Sequence, residues 1–280
     1  MAIRLFPRGH IGSRPPTGAF TINRDSPQRK GLVAWYPMLA SIGINGVLDR
    51  GDTGINGTFT GSPTWGGSPD FGWGLTTSNG NYYTAPSTGL NVQQGTVAAW
   101  LLPTTQTINT DHLVWSNGTS TTHRVFFECY GARWVVQYSS QSALEAAPGS
   151  GGLNQTVHFV MTWDRTAQLI LGYFNGKQIL STALTVAAIT PSASNYFGAY
   201  YTGGFPFLGS LGEFRIYNRA LSANEVWQHF APETRYDLYL PAAPRFWSVP
   251  AAAPPAGVAM PIFGNDDQLF GSIFGGAIVR

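Results

Sequence analysis

Glycine and proline interrupt this chain so often that a helical architecture is excluded. With 34 Gly and 19 Pro spread over 280 residues, few stretches are long enough for a stable helix, because glycine weakens helix interiors and proline breaks them. Between the interruptions lie short runs rich in β-branched and aromatic residues, bounded by Gly, Asn, Ser, Thr and Pro, which is the texture of strands joined by turns. An antiparallel all-β domain follows, and a chain of this length accommodates one large sandwich with appendages.

The clearest strand candidates are Leu32 to Tyr36, Thr96 to Leu102, Arg124 to Tyr130, Trp134 to Tyr138, Val157 to Trp163, Leu169 to Phe174 and Glu213 to Tyr217. In Val157 to Trp163, Val157, Phe159, Met161 and Trp163 fall on one face and His158, Val160 and Thr162 on the other. That period of two predicts one face buried in the core. Trp35, Trp100 and Trp163, all in strand candidates, are expected in the core. Asn175-Gly176 between two runs predicts a tight hairpin, since both residues tolerate the positive φ of a type I′ turn. One short helix is visible, opened by Ser222 and Glu225 in capping-box spacing and stopped by Pro232.

Charged residues make up only 11%, against roughly 25% in average soluble proteins. A net charge of +2 without clustered Lys and Arg argues against nucleic acid as a partner. The single cysteine, Cys129, excludes an intrachain disulfide and is expected as a buried, inert thiol in its strand. No apolar stretch of signal-peptide length follows Arg4 and Arg8, and no run approaches membrane-spanning length.

Three segments differ in texture. Residues 1–30 read as an extended N-terminal arm, 31–230 as the sandwich, and 231–280 as a Pro- and Ala-rich C-terminal arm. The C-terminal arm carries Tyr236, Tyr239, Phe246, Trp247, Phe263, Phe270 and Phe274, more apolar area than a linker exposes. Extended apolar segments suit strand addition or groove filling between subunits. These seven side chains are therefore expected to make assembly contacts, and a chain ending near Pro232 is expected to fold alone.

The order of motifs resembles the laminin-G-like branch of the concanavalin A-like lectin/glucanase superfamily. Gly31-Leu32-Val33-Ala34-Trp35-Tyr36-Pro37 resembles its first strand, and Asp49 to Gly57 its Asp- and Gly-rich loop. Gly95 to Trp100, Val157 to Asp164 and Phe174 to Lys177 match the middle, and Leu208 to Ser222 the closing strand and helix cap. The resemblance implies an antiparallel jelly-roll β-sandwich and, in its metal-binding members, a Ca²⁺ site drawing on the early loop and closing strand. Asp49, Asn56 and Glu213 are the oxygen donors at those places, although Gly212 stands where the family usually has Asp. Alternatively, Asp49 and Asn56 fix an Asx-type turn.

The superfamily includes glucanases, whose chemistry needs paired carboxylates. Glu128, Glu145 and Asp164 are isolated along the sequence, and the five histidines lie apart from any nucleophile motif. No catalytic residue is assigned and the chain is expected not to be an enzyme. Aromatic residues reach 14%, and Trp65, Trp73, Tyr82, Tyr83, Tyr200 and Tyr201 lie in polar loops. They are the candidate platforms for a sugar ring, with loops wrapping the core as the competing use of the same side chains. Arms suited to interlocking, low charge and a sugar-binding type of sandwich together predict a non-enzymatic bacteriophage virion protein. It would be a capsid decoration or fibre component assembled in the host cytoplasm, contacting itself or other virion proteins through its arms and binding surface glycans. The alternative is a bacterial lectin-like module at the cell surface.

Overall fold

The computed structural model describes residues 19–38, 46–68, 72–104, 111–120, 123–130, 133–139, 144–146 and 152–241. In chain order the elements are β1 (Phe20–Ile22), a 3₁₀ turn (Pro27–Arg29), β2 (Leu32–Tyr36), β3 (Gly46–Val47), β4 (Gly57–Thr60), β5 (Thr64–Ser68) and β6 (Gly72–Thr77). There follow β7 (Tyr82–Pro86), β8 (Gln94–Pro103), β9 (Asp111–Ser120), β10 (His123–Tyr130), β11 (Arg133–Tyr138) and β12 (Leu144–Ala146). The last are β13 (Val157–Asp164), β14 (Leu169–Phe174), β15 (Lys177–Ala183), β16 (Ser194–Phe197), β17 (Gly209–Tyr217), α1 (Ala223–Phe230) and β18 (Tyr239–Pro241).

Two antiparallel sheets of eight strands form a sandwich. The first runs β15-β14-β13-β8-β17-β6-β5, and β2 joins it beside β6 along the same edge of β17. The second runs β12-β11-β10-β9-β16-β7-β4-β3. Between them Val157, Phe159, Met161 and Trp163 of β13 meet side chains of the facing sheet. Trp134 stacks on Phe159 at 4.7 Å, and Tyr83 on Phe197 within the second sheet at 4.2 Å. Each such aromatic contributes about 1.5 to 3 kcal/mol of burial. The Asn175-Gly176 turn closes β14 to β15 with φ of 50° and 77°, as the hairpin signal requires. Ser222 caps α1, with its Oγ accepting from Glu225 N and Glu225 Oε2 accepting from Ser222 N.

The alternation in β13 predicts one buried face, but both are buried: His158, Val160 and Thr162 are each at most 2% exposed. The outer face of the first sheet is covered by chain from both ends of the sandwich. Under α1 lie Ala98, Val160, Tyr173 and Tyr217. Beside them Trp35 is roofed by Tyr236, Leu238 and Tyr239, with Phe20 and Ile22 packed alongside. Strands β1 and β18 pair as a two-stranded ribbon, Phe20 opposite Pro241 and Ile22 opposite Tyr239.

This arrangement corrects the expected boundaries. The compact unit runs to Ala242 rather than ending at Phe230, and residues 20–30 pack on the sandwich instead of forming an arm. Tyr236 and Tyr239, expected at an assembly interface, are 4% and 5% exposed and buried within their own chain. The reason is that β2 and β17 turn Trp35 and Arg215 outward, where bare sheet would leave an indole and a guanidinium uncovered. Phe246, Trp247, Phe263, Phe270 and Phe274 lie outside the described residues, as do residues 1–18 and the side chains of Cys129 and Glu128. Among the described residues no helix is long and apolar enough to cross a membrane.

Candidate functional site

On β4, β7 and β16 the inward positions are Phe59, Tyr83 and Phe197, so their sequence neighbours point away from the core. That outward face carries Thr58, Thr84 and Tyr196 in cross-strand register, with Thr60 opposite Tyr82. Tyr82 and Tyr196 lie 6.2 Å apart between ring centroids and both are partly exposed. No charged side chain stands among these five positions, which offer hydroxyls and aromatic faces only.

One end of the face is closed by the loop between β16 and β17. Tyr200 N donates to Gly204 O at 2.8 Å and Gly203 N to Tyr200 O at 2.7 Å. Gly203 has φ of +83°, and a Cβ there would sit 3.0 Å from the Tyr82 hydroxyl, so glycine lets the loop close against β7. Tyr200 is buried against Leu113 and packs on Tyr201 at 4.2 Å. Phe205 stands edge-on to Tyr200 at 5.8 Å. Its φ is +52° and its side chain is 48% exposed. A bulky residue in the left-handed region costs about 1 kcal/mol or more, and here that cost holds a phenyl ring in solvent.

The six sequence candidates for a sugar platform therefore separate. Tyr82 and Tyr201 belong to this aromatic rim. Tyr200 lies beneath it as support. Tyr83 is corrected to core: it is fully buried, and burial, followed by the neighbouring Tyr36, raises its hydroxyl pKa well above the ordinary value. Trp65 packs on the core edge against Phe59 at 5.9 Å. Trp73 is 49% exposed but sits on the β5–β6 hairpin of the other sheet. Tyr196 and Phe205 join the rim without having been singled out by sequence. Tyr196 sits in a strand too short for its alternation to show, and a positive φ at Phe205 has no sequence signature.

The calcium candidates do not fit a metal. Asp49 Oδ1 accepts from Trp35 N and Gly51 N, both at 2.8 Å, and Oδ2 from Thr53 Oγ1 at 2.7 Å and Ile55 N at 3.0 Å. Asn56 Oδ1 accepts from Asp49 N at 3.0 Å. Glu213 Oε1 takes Trp35 Nε1 at 2.5 Å and Arg215 Nε at 2.6 Å. Asp49 is spent on four protein donors, and Glu213 is held against a buried guanidinium that would repel a cation. The Asx-turn alternative describes Asp49, which accepts from Gly51 N, while Asn56 closes the loop by accepting from Asp49 N seven residues back. Among the described residues no group of three or more His, Cys, Asp or Glu could hold a metal ion.

Other carboxylates are also engaged. Asp164 Oδ1 accepts from Thr166 N and Ala167 N. Glu225 is bound to Arg219 through both oxygens; that contact, against some desolvation and with help from Ser222, lowers its pKa to about 2.

Fold and aromatic face together define a lectin-like β-sandwich. Residues 77–227 match the Laminin_G_3 family model of the concanavalin A-like lectin/glucanases superfamily, and the chain belongs to that family. A search of curated proteins finds no match. Among solved structures, domain 4 of AbnA, an extracellular arabinanase from Geobacillus stearothermophilus solved with arabinotriose, is 19% identical, with a TM-score of 0.58 over 71% of this chain and 98% of that one. Botulinum neurotoxin type C, whose cell entry depends on interaction with two ganglioside molecules, is 10% identical, with a TM-score of 0.58 over 72% of this chain and 51% of that one. Trypanosoma rangeli sialidase, in complex with sialic acid, is 16% identical with a TM-score of 0.56, and the match covers 72% of this chain and 33% of the sialidase. At these identities the likeness is one of fold, and the match spans about half of the solved neurotoxin chain and a third of the sialidase chain.

Proposed function

We propose that this sandwich is a non-catalytic carbohydrate-binding module and that it binds a neutral saccharide on the outer face of β4, β7 and β16. The observation that carries this reading is the rim of Tyr82, Tyr196, Tyr201 and Phe205 beside a row of threonine hydroxyls. Aromatic faces take the C–H side of a sugar ring, and hydroxyls exchange hydrogen bonds with its hydroxyls without a charge to desolvate. The exposed, backbone-strained Phe205 adds support, since packing alone does not call for a phenyl ring there. The engagement of Asp49, Asp164, Glu213 and Glu225 in turns, caps and ion pairs favours binding over hydrolysis.

The test is a glycan array followed by calorimetric titration of the best neutral oligosaccharide. Tyr201→Ala and Phe205→Ala should each weaken binding about tenfold or more while the thermal transition stays in place. Absence of binding to any saccharide would remove the reading. Loss of binding in Trp73→Ala but not in Tyr201→Ala would move the site to the β5–β6 hairpin.

A bacteriophage particle is the setting we favour, with the chain as a decoration or fibre component. Antiparallel pairing puts Phe20 beside Pro241, so the two ends of the described sandwich lie side by side, as suits a domain displayed from a single attachment. In sequence the C-terminal flank is apolar and Pro-rich, and the N-terminal flank is rich in Arg, Pro and Gly. A bacterial cell-surface lectin would use the same face, and proteomics of purified virions separates the two settings.

A further inference from the structure

A second site lies on the opposite sheet, where the ribbon strand β1 faces the Asp49 loop. The groove between them encloses about 280 Å³. Phe20 and Ile22 form an apolar shelf on one side, and Arg24, Arg50, Gly51 and Asp52 form the other. Asp49 also borders the groove, but its four hydrogen-bonding positions named above are filled by Trp35 of β2 and by Gly51, Thr53 and Ile55 of its own loop. Asp52 is shared between two cations: Arg24 Nη2 reaches its Oδ1 at 2.8 Å, and Arg29 Nε donates to its Oδ2 at 2.7 Å. Counting Arg50, which lines the groove, three arginines stand against the two carboxylates Asp49 and Asp52, an excess of one positive charge. The Arg50 guanidinium has no hydrogen-bond or ion-pair partner among the described residues, and the Arg24 side chain is 67% exposed despite its bond to Asp52.

An excess of planar cations beside a hydrophobic shelf matches a ligand with a carboxylate on one edge and a C–H face on another. Arginine forks bind carboxylates in two-point geometry, and such bonds are the stronger kind in water. We propose that this groove binds the carboxylate-bearing ring of an acidic saccharide, with Arg50 and Arg24 on the carboxylate and Phe20 and Ile22 under the ring. The proposal rests on the glycan reading for the sugar ring, and it adds an acidic subsite separate from the neutral tyrosine face.

The experiment uses the full chain, labelled with ¹⁵N, and three probes at equal concentration: methyl glucuronide, methyl glucoside and inorganic sulfate. Amide signals of residues 20–24 and 50–52 should move with the glucuronide, and to a much smaller extent with glucoside or sulfate. Arg50→Ala should weaken the glucuronide response about tenfold, the usual scale for a lost charge-assisted bond, with Arg50→Lys in between. Since the Arg50 side chain holds no other described group, its removal should leave the rest of the spectrum in place. Equal responses to sulfate and glucuronide would reduce the groove to a plain anion site and overturn the proposal. So would no response, or an Arg50→Ala response equal to the parent's. Binding of a neutral oligosaccharide, followed in the same spectra through the signals of Tyr82 and Tyr201, reports separately on the tyrosine face. Failure of one reading is thereby distinguished from failure of the other.

Discussion

Arg215 donates from Nε to Oε1 of Glu213 at 2.6 Å, two residues apart on β17, with both side chains 5% exposed or less. The other two guanidinium nitrogens leave the sheet. Nη1 donates to Gln28 Oε1 and Nη2 to the carbonyl of Arg235, each at 2.6 Å. Burial by itself disfavours a charged guanidinium; the Glu213 carboxylate, joined by Tyr217, more than offsets this and raises the pKa of Arg215. One buried cation thus ties the segment before the sandwich to the segment after it.

Replacing this arginine should be costly. Arg215→Met leaves Glu213 buried without its cation and strands Gln28 and the Arg235 carbonyl, so a loss of about 3 to 5 kcal/mol is expected. Urea unfolding monitored by tryptophan fluorescence gives the number. The double change Arg215→Met with Glu213→Gln should recover part of it, because no charge is then left unpaired.

Truncation tests the same clasp. A chain ending at Phe230 loses Tyr236, Leu238 and Tyr239 from above Trp35, each contributing about 1.5 to 3 kcal/mol, together with the Arg235 carbonyl. It should be aggregated or lack a cooperative transition, whereas residues 19–242 should unfold cooperatively. A folded, soluble chain ending at 230 would show that the clasp is dispensable.

Two buried histidines predict acid sensitivity. His158 packs against Trp100 at 4.9 Å between ring centroids, the rings tilted by 39°, and His229 Nε2 lies 3.2 Å from the Tyr217 hydroxyl. Burial first, then Arg215 and Arg235, lowers the pKa of His158 to about 3; burial, Arg215, His158 and Arg219 lower that of His229 well below its ordinary value. The unfolded chain takes up these protons below about pH 6.5 while the folded chain does not. Stability is therefore full above that pH and falls as pH drops, by up to about 1.4 kcal/mol per pH unit for each histidine. The pair dominates between about pH 6.5 and 4.5, because the Glu225 contribution is lost only as pH falls from about 4.5 toward 2. Denaturation curves at several pH values should show a shallower decline in this window for His158→Phe than for the parent.

Asp49 organises its loop with four hydrogen bonds to Trp35, Gly51, Thr53 and Ile55. Asp49→Ala should lower stability by about 3 kcal/mol or more, since several buried donors lose their acceptor. The parent's melting temperature should be the same in millimolar calcium and in chelator. A calcium-dependent rise that disappears in Asp49→Ala would restore the metal site.

Tyr83, in the core, and Phe205, on the rim, make opposite predictions. The Tyr83 hydroxyl is buried without a hydrogen-bond partner among the described residues, so Tyr83→Phe should be neutral or stabilising by about 1 kcal/mol and leave saccharide binding intact. Phe205→Gly relieves a positive φ and exposes no core, so stability should hold or rise by up to about 1 kcal/mol while binding falls. Thermal melts paired with calorimetry read both effects.

Much of the sheet framework was legible from local pattern. Alternation in Val157–Trp163, the Asn175-Gly176 turn and the Ser222–Glu225 cap are set by neighbours within a few residues, where backbone sterics and one-residue alternation act alone. The same alternation put Trp35 on a definite face of β2 without showing what would cover it. That was decided by contacts spanning nearly the whole chain, such as Ser26 Oγ to Asp237 Oδ2 and Asn23 N to Leu238 O, in segments whose proline content suggested arms. Asp49 reads as a metal ligand by residue type; only the closed loop shows its lone pairs already taken. Tyr82 and Tyr83 are neighbours of one type in sequence, and the pleat sends one to the core and the other to the candidate site. Local sterics select elements and turns, whereas the pairing of distant segments decides which side chains remain available to a ligand.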